Sequence, residues 1–318
     1  MSSDELDKKN TLLVFAVWLN VSAYGEEERS LTAVSTGTVA QSRIVPEAGS
    51  SGRLKSETSG TSGGPSKPPS IKREFTTFNH KSIMSKTIED NGWTAVPRSL
   101  EKLLANRKNP KSKATPLQVS DLPLPSSPIV DTIMKHAKDH LPKRTFSHSM
   151  RVFYFGQAIA MQHFPEWRYS PETYLLASLL HDIGTTEDNM KNTQLSFEFQ
   201  GGIQALNLLT QNGAPQSAAE SVCETIIRHQ DVGETGNIST LTAVIHFATL
   251  LDNAGANPEL IHKETIENVV KAYPREGWTG CFAATVRKES KVKPWSHTTK
   301  IEGFAEMVEA NETMRPYD

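Results

Sequence analysis

Residues 174–184 read Tyr174-Leu-Leu-Ala-Ser-Leu-Leu-His-Asp-Ile-Gly184, and the rest of the chain is organised around them. Ser170-Pro171 offers an N-cap followed by a proline at the first helical position. The spacing predicts a helix over 171–182, with Gly184 as its C-terminal stop. Leu175, Leu176, Leu179 and Leu180 make its apolar surface too wide for a solvent-facing helix. His181 and Asp182 then fall at a buried end, where an unpaired carboxylate is very costly. A divalent cation would satisfy both side chains at once. A solvated His-Asp pair at a helix end is the plainer alternative.

Two other predicted helices carry polar groups on apolar faces. In the helix expected over 147–162, His148 heads a stripe of Val152, Phe155 and Ile159. In the helix expected over 239–253, Asp252 extends the face of Leu241, Ile245 and Ala248. Taken singly, His148 reads as a satisfied core histidine and Asp252 as the partner of a buried arginine. Taken together, His148, His181, Asp182 and Asp252 place two imidazoles and two carboxylates on the inward faces of three helices. That is a ligand set for Zn²⁺, Fe²⁺ or Mn²⁺. A core polar network explains the four positions less economically.

The 318 residues carry a net charge of −2, which gives no basis for a nucleic-acid-binding surface. Two cysteines, Cys223 and Cys281, exclude a disulfide framework and a Cys-rich metal site, and suit the cytoplasm. The apolar stretch Leu12 to Leu19 is far too short to span a bilayer. Asp4, Glu5 and Asp7 beside Lys8 and Lys9 deny it the positive start of a signal peptide. No membrane partner is expected. Residues 1–87, rich in Ser, Gly, Thr and Pro between Glu26 and Ser70, are expected to form a disordered arm. Residues 88–127 read as an extended segment pinned by Trp93 and Val96, with a short helix from Ser99 to Asn106 and a solvated linker from Arg107 to Pro116. Residues 128–318 are expected to form one all-α domain, in which Ile129, Ile133, Ala137 and Leu141 mark the first helix. Further helices are expected over 195–211, 216–229 and 258–273, and no strand pairing of comparable strength is visible.

The order His, His-Asp, Asp on successive helices resembles the HD-domain superfamily of metal-dependent enzymes. The wording around these residues resembles the cyanamide hydratase family more closely. It includes Phe146-Ser-His-Ser-Met-Arg-Val-Phe153, Leu179-Leu-His-Asp-Ile-Gly-Thr-Thr186, Ile226-Ile-Arg-His-Gln-Asp231, Leu251-Asp-Asn-Ala254 and Lys293-Pro-Trp-Ser-His-Thr298. Ser196-Phe-Glu-Phe199 with Gly201-Gly202, and Asn91-Gly-Trp-Thr-Ala-Val-Pro97 upstream, belong to the same resemblance. It implies an HD-type helical domain in which His148, His181, Asp182 and Asp252 hold one Zn²⁺ and hydrate cyanamide, a small neutral substrate, to urea.

On that reading a Zn²⁺-bound hydroxide attacks the nitrile carbon. Two carboxylates nearly neutralise the ion, so a neighbouring base is expected, and His229 is the candidate. Its alternative role is to complement the dipole of its own helix. Asn189 and Thr186, on the loop after the ligand helix, are candidates for holding substrate, with ordinary loop capping as the alternative. Phe197, Phe199 and Trp295-Ser-His297 are candidates for closing a pocket. His246 and His262 read as structural, and His136, His140 and His163 as surface residues. A homo-oligomer is left open. Two other functions compete. One is a nucleotide phosphohydrolase, for which Arg151 and Arg228 lie near the ligands but no Gly-rich phosphate cradle exists. The other is a non-catalytic metal-stabilised interaction module, suggested by the Ser/Gly-rich arm.

Overall fold

The structure, a computed structural model, describes residues 86–110 and 112–318. Of the arm expected over 1–87, residues 1–85, with the apolar stretch from Leu12 to Leu19, lie outside the described residues, and residues 86–87 open a helical turn that runs to 90. In chain order the helices are α1 (Leu100–Ala105), α2 (Pro128–His140), α3 (Lys143–His163), α4 (Pro171–Leu180), α5 (Glu187–Asn192) and α6 (Phe197–Gln211). They continue as α7 (Gln216–Arg228), α8 (Thr240–Ala254), α9 (Lys263–Ala272), α10 (Trp278–Val292) and α11 (Phe304–Glu309). The expected all-α architecture is borne out. Among the described residues, no helix is long and apolar enough to cross a membrane.

The helix starts follow from local chemistry. Ser170 caps α4 by accepting from the Thr173 amide, and Pro171 stands where its missing N–H costs nothing. Ser239 caps α8 in the same way, and Gly255 closes it in the left-handed region at φ 67°. Every residue of α4 from Thr173 to Leu180 is buried, so this helix is central. It packs against α2, α3 and α7, while α3 also lies along α8 and α6 along α7. The α3–α4 approach is close at Gly156, where a Cβ would sit 1.9 Å from the Tyr174 hydroxyl. That hydroxyl donates to the Val152 carbonyl at 2.8 Å.

Four features of the fold depart from the sequence reading. Ala95–Pro97 (β1) and Asn237–Ser239 (β2) pair antiparallel, with Val96 opposite Ile238. Segments of three residues are too short to show a period. The helix expected over 258–273 is split into a 3₁₀ turn, Pro258–Leu260, and α9, whose start is capped by His262 accepting from the Glu264 amide. His163, expected at the surface, is buried and donates to the Leu260 carbonyl at 2.9 Å. The sequence reading also stopped short of α10 and α11. They share a second apolar cluster built on Trp278, Phe282, Val286, Phe304 and Val308. The buried face of α10 ends in Glu289, a carboxylate that blunts its apolar period.

Candidate metal centre

α4 ends two residues earlier than expected, so His181 takes the C-cap and Asp182 leads into the 3₁₀ turn Ile183–Thr185. His148 reaches the same point from α3. The Nε2 atoms of His148 and His181 are 3.1 Å apart, and Asp182 Oδ2 lies 3.6 and 3.4 Å from them. These separations bracket the edge of about 3.3 Å between tetrahedral ligands bound to zinc at about 2.0–2.1 Å. His181 Nδ1 donates to the Ser178 carbonyl at 2.8 Å, and His148 Nδ1 donates to Asp252 Oδ2 at 2.5 Å. With protons assigned to both Nδ1 atoms from those bonds, both Nε2 atoms present lone pairs to each other. Asp182 is 1% exposed, and neither of its carboxylate oxygens has a hydrogen-bond partner. Two converging lone pairs and an orphaned buried carboxylate fit a divalent cation.

His229 stands beside this group. Its Nδ1 donates to the Ile226 carbonyl at 2.7 Å, and its Nε2 lies 3.8 Å from Asp182 Oδ1. Burial lowers the pKa of His229, and it lowers that of His148 to about 4, so both are neutral near pH 7. Burial pushes the Asp182 carboxyl up, but His181, His148 and His229 together hold it below the usual range. Burial likewise opposes a charge on His181, which the neighbouring Asp182 outweighs, so His181 moves up.

Three of the four expected ligands, His148, His181 and Asp182, thus share one point. Asp252 sits behind His148 instead. It accepts from Arg151 Nη2 at 2.9 Å and Arg275 Nη1 at 2.6 Å, besides His148 Nδ1. The buried-arginine partnership is therefore present twice over. Arg275 lies beyond the last helix the sequence reading assigned. The same region supplies Trp278, whose ring stacks on His148 at 4.3 Å between centroids. No periodic signal pointed to either residue.

The HD domain family model matches residues 145–272, which contain His148, His181, Asp182, His229 and Asp252. Two cyanamide hydratases of Saccharomyces cerevisiae, DDI2 and DDI3, are each 38% identical to the chain over 222 residues, or 69% of this chain and 96% of theirs. The chain belongs to the cyanamide hydratase family of HD-domain proteins. The resemblance read from the motifs is borne out.

Several of the other expected site residues turn out to shape the centre from outside. Asn189 donates to the Ile183 carbonyl at 2.8 Å and to Gln204 Oε1 at 2.9 Å, which spends both amide hydrogens. Thr186 also donates to the Ile183 carbonyl, at 3.2 Å. Both brace the turn that follows Asp182. Gly184 is not the helix stop. A Cβ there would meet the Phe197 carbonyl oxygen at 1.9 Å, so glycine permits α6 to press on the turn. Phe197 in turn meets the His229 ring edge-on at 5.5 Å. Phe199 and Trp295 are exposed, and His297 Nδ1 holds Glu198 Oε1 at 2.7 Å. Beyond His229 opens a small pocket lined by Gln230, Thr249, Asn253, Phe304 and Met307 among others, none of its lining residues being Lys, Arg, Asp or Glu.

Proposed function

We propose that this protein hydrates cyanamide to urea at the His148–His181–Asp182 centre, with Zn²⁺ as its metal. The observation that carries the reading is the orphaned Asp182 carboxylate next to His229, which itself lines an uncharged pocket, in a chain related to cyanamide hydratases. His148 and His181 would hold the ion through Nε2 and Asp182 through a carboxylate oxygen. Fe²⁺ and Mn²⁺ accept the same donors, and the near-tetrahedral spacing favours Zn²⁺. When bound, Zn²⁺ supplies acidification of a water to a pKa of about 7.

His229 is neutral, with its free Nε2 toward the centre, and acts as the base that takes a proton from the attacking water. Oxygen bonds to the nitrile carbon, one C–N π bond breaks, and the nitrogen receives a proton. The resulting isourea tautomerises to urea. Asp252 fixes the His148 tautomer, while Thr186 and Asn189 hold the turn that carries Asp182.

The nucleotide reading fares worse. Arg151 is committed to Asp252, and Arg228 to Asp231 and Glu224, so neither guanidinium is free to grip phosphate. A cytoplasmic enzyme with two free cysteines agrees with this proposal.

The test is metal analysis and a cyanamide-to-urea assay on one preparation. One bound metal per chain and urea release are expected, both lost in His181→Ala and Asp182→Ala. Phosphate release from a nucleotide panel, without urea formation, would replace this reading with the phosphohydrolase one.

A further inference from the structure

The pocket beside His229 holds two polar ends that the proposed reaction has not used. Gln230, the residue after His229, is 6% exposed, and its buried Oε1 has no partner among the described residues. Asn253, one residue after Asp252 on α8, lines the same pocket. Asn253 Oδ1 accepts from Trp278 Nε1 at 2.8 Å, which orients the amide and leaves Nδ2 as its free end. The ring that fixes Asn253 is the one stacked on His148, so pocket and centre share one brace. A buried acceptor left unpaired costs more than a neutral hydrogen bond returns, so Gln230 Oε1 calls for a donor from a ligand.

We propose that Gln230 and Asn253 form a recognition subsite for a small neutral molecule with N–H groups on the atom next to the reacting carbon. This deepens the hydratase reading and rests on it. Gln230 Oε1 accepts the substrate N–H, and Asn253 Nδ2 donates to the oxygen that the carbon acquires. The remaining lining, with Val232, Leu250, Ile301 and Phe304, includes no Lys, Arg, Asp or Glu to pair with a charged group. Substrates whose amino nitrogen is fully alkylated leave Gln230 unpaired and are rejected for that reason, beyond their bulk.

The experiment is a cycle between residue and substrate on the metal-loaded full-length protein. kcat/KM for cyanamide and for N,N-dimethylcyanamide is measured in the wild type and in Gln230→Met, which keeps the size of the side chain and removes the acceptor. The wild-type preference for cyanamide is expected to shrink about five- to tenfold in Gln230→Met, carried mainly by a higher KM for cyanamide, with metal content unchanged. A merely structural role would lower both substrates alike, and an unchanged ratio overturns the subsite. Binding of urea against tetramethylurea, followed by ligand-observed NMR, reads the same preference without turnover. If the wild type forms no urea from cyanamide, the hydratase reading fails. An equal preference for urea in wild type and variant then overturns the subsite as well, while a preference lost in Gln230→Met upholds it.

Discussion

His148 Nδ1 meets Asp252 Oδ2 at 2.5 Å, and this contact decides which edge of the imidazole faces the centre. A proton held on Nδ1 leaves Nε2 as a lone pair directed at His181 and Asp182. Burial pushes the Asp252 carboxyl up, but Arg151, Arg275 and His148 hold it well below the usual range. It is therefore a fixed anion behind His148, whereas neither oxygen of the Asp182 carboxylate has a hydrogen-bond partner.

That contrast separates two isosteric substitutions. Asp252→Asn leaves the buried Arg151 without a countercharge and Arg275 with Asp318 alone, so the chain should lose about 3–5 kcal/mol of unfolding free energy. Its metal affinity should fall about 10–100-fold, because His148 loses its orienting partner. Asp182→Asn should abolish metal binding yet cost the metal-free chain much less, since no donor depends on that carboxylate. Urea unfolding with metal titration on both variants decides it. Equal stability losses would show that Asp182 is a structural anchor.

Chelation should unfold the centre's contribution selectively. A metal held at about 100 times its Kd adds about 2.7 kcal/mol to stability, so chelated protein should melt earlier and recover when the ion returns. His181→Ala should melt at the same temperature with or without chelator. A chelator effect that persists in His181→Ala would place the metal elsewhere.

Gly184→Ala should damage the site through the backbone. Its Cβ would lie 1.9 Å from the Phe197 oxygen and 2.7 Å from its carbon, so α6 or the Asp182 turn must shift. A cost of about 1–3 kcal/mol and weakened metal binding are expected. The control is Gly280→Ala in α10, where a Cβ meets nothing within 4 Å and stability should rise by about 0.5–1 kcal/mol. Matching thermal and metal-binding data for the two variants would refute the close-approach argument.

Acid should destabilise the metal-free chain before its carboxylates titrate. Burial lowers His246 and His148 from 6.5 to about 4. Between those values the unfolded chain binds protons that the folded chain refuses, so stability is lost as pH falls from 6.5 toward 4. His181, which moves up, opposes part of this. Denaturant midpoints at about pH 7 and about pH 5 should therefore differ, and less so in His246→Gln. That variant can keep the 2.7 Å bond to the Arg228 carbonyl without the titrating ring. An identical pH slope in wild type and variant would rule out this cause.

The sequence by itself determined the central helix and its buried His181-Asp182 end, because those depend on residues within a few positions of one another, and it pointed to the family through the order of motifs spread from Asn91 to Thr298. Ser170 and Pro171 set the start, and the leucine spacing set the burial. The convergence of His148 with that pair was legible from the apolar stripes of α3 and α4. Only the tertiary structure showed which groups meet Asp252. A buried carboxylate signals that something positive must meet it, but not whether that is a metal or a guanidinium. Here two guanidiniums meet it, from Arg151, 101 positions away, and Arg275, 23 positions away, the second from a segment without a readable period. The same holds for Trp278, Gln230 and Asn253. Their meaning lies in which surfaces the packing of α8, α10 and the turn after α7 brings to one pocket, and no local spacing encodes that.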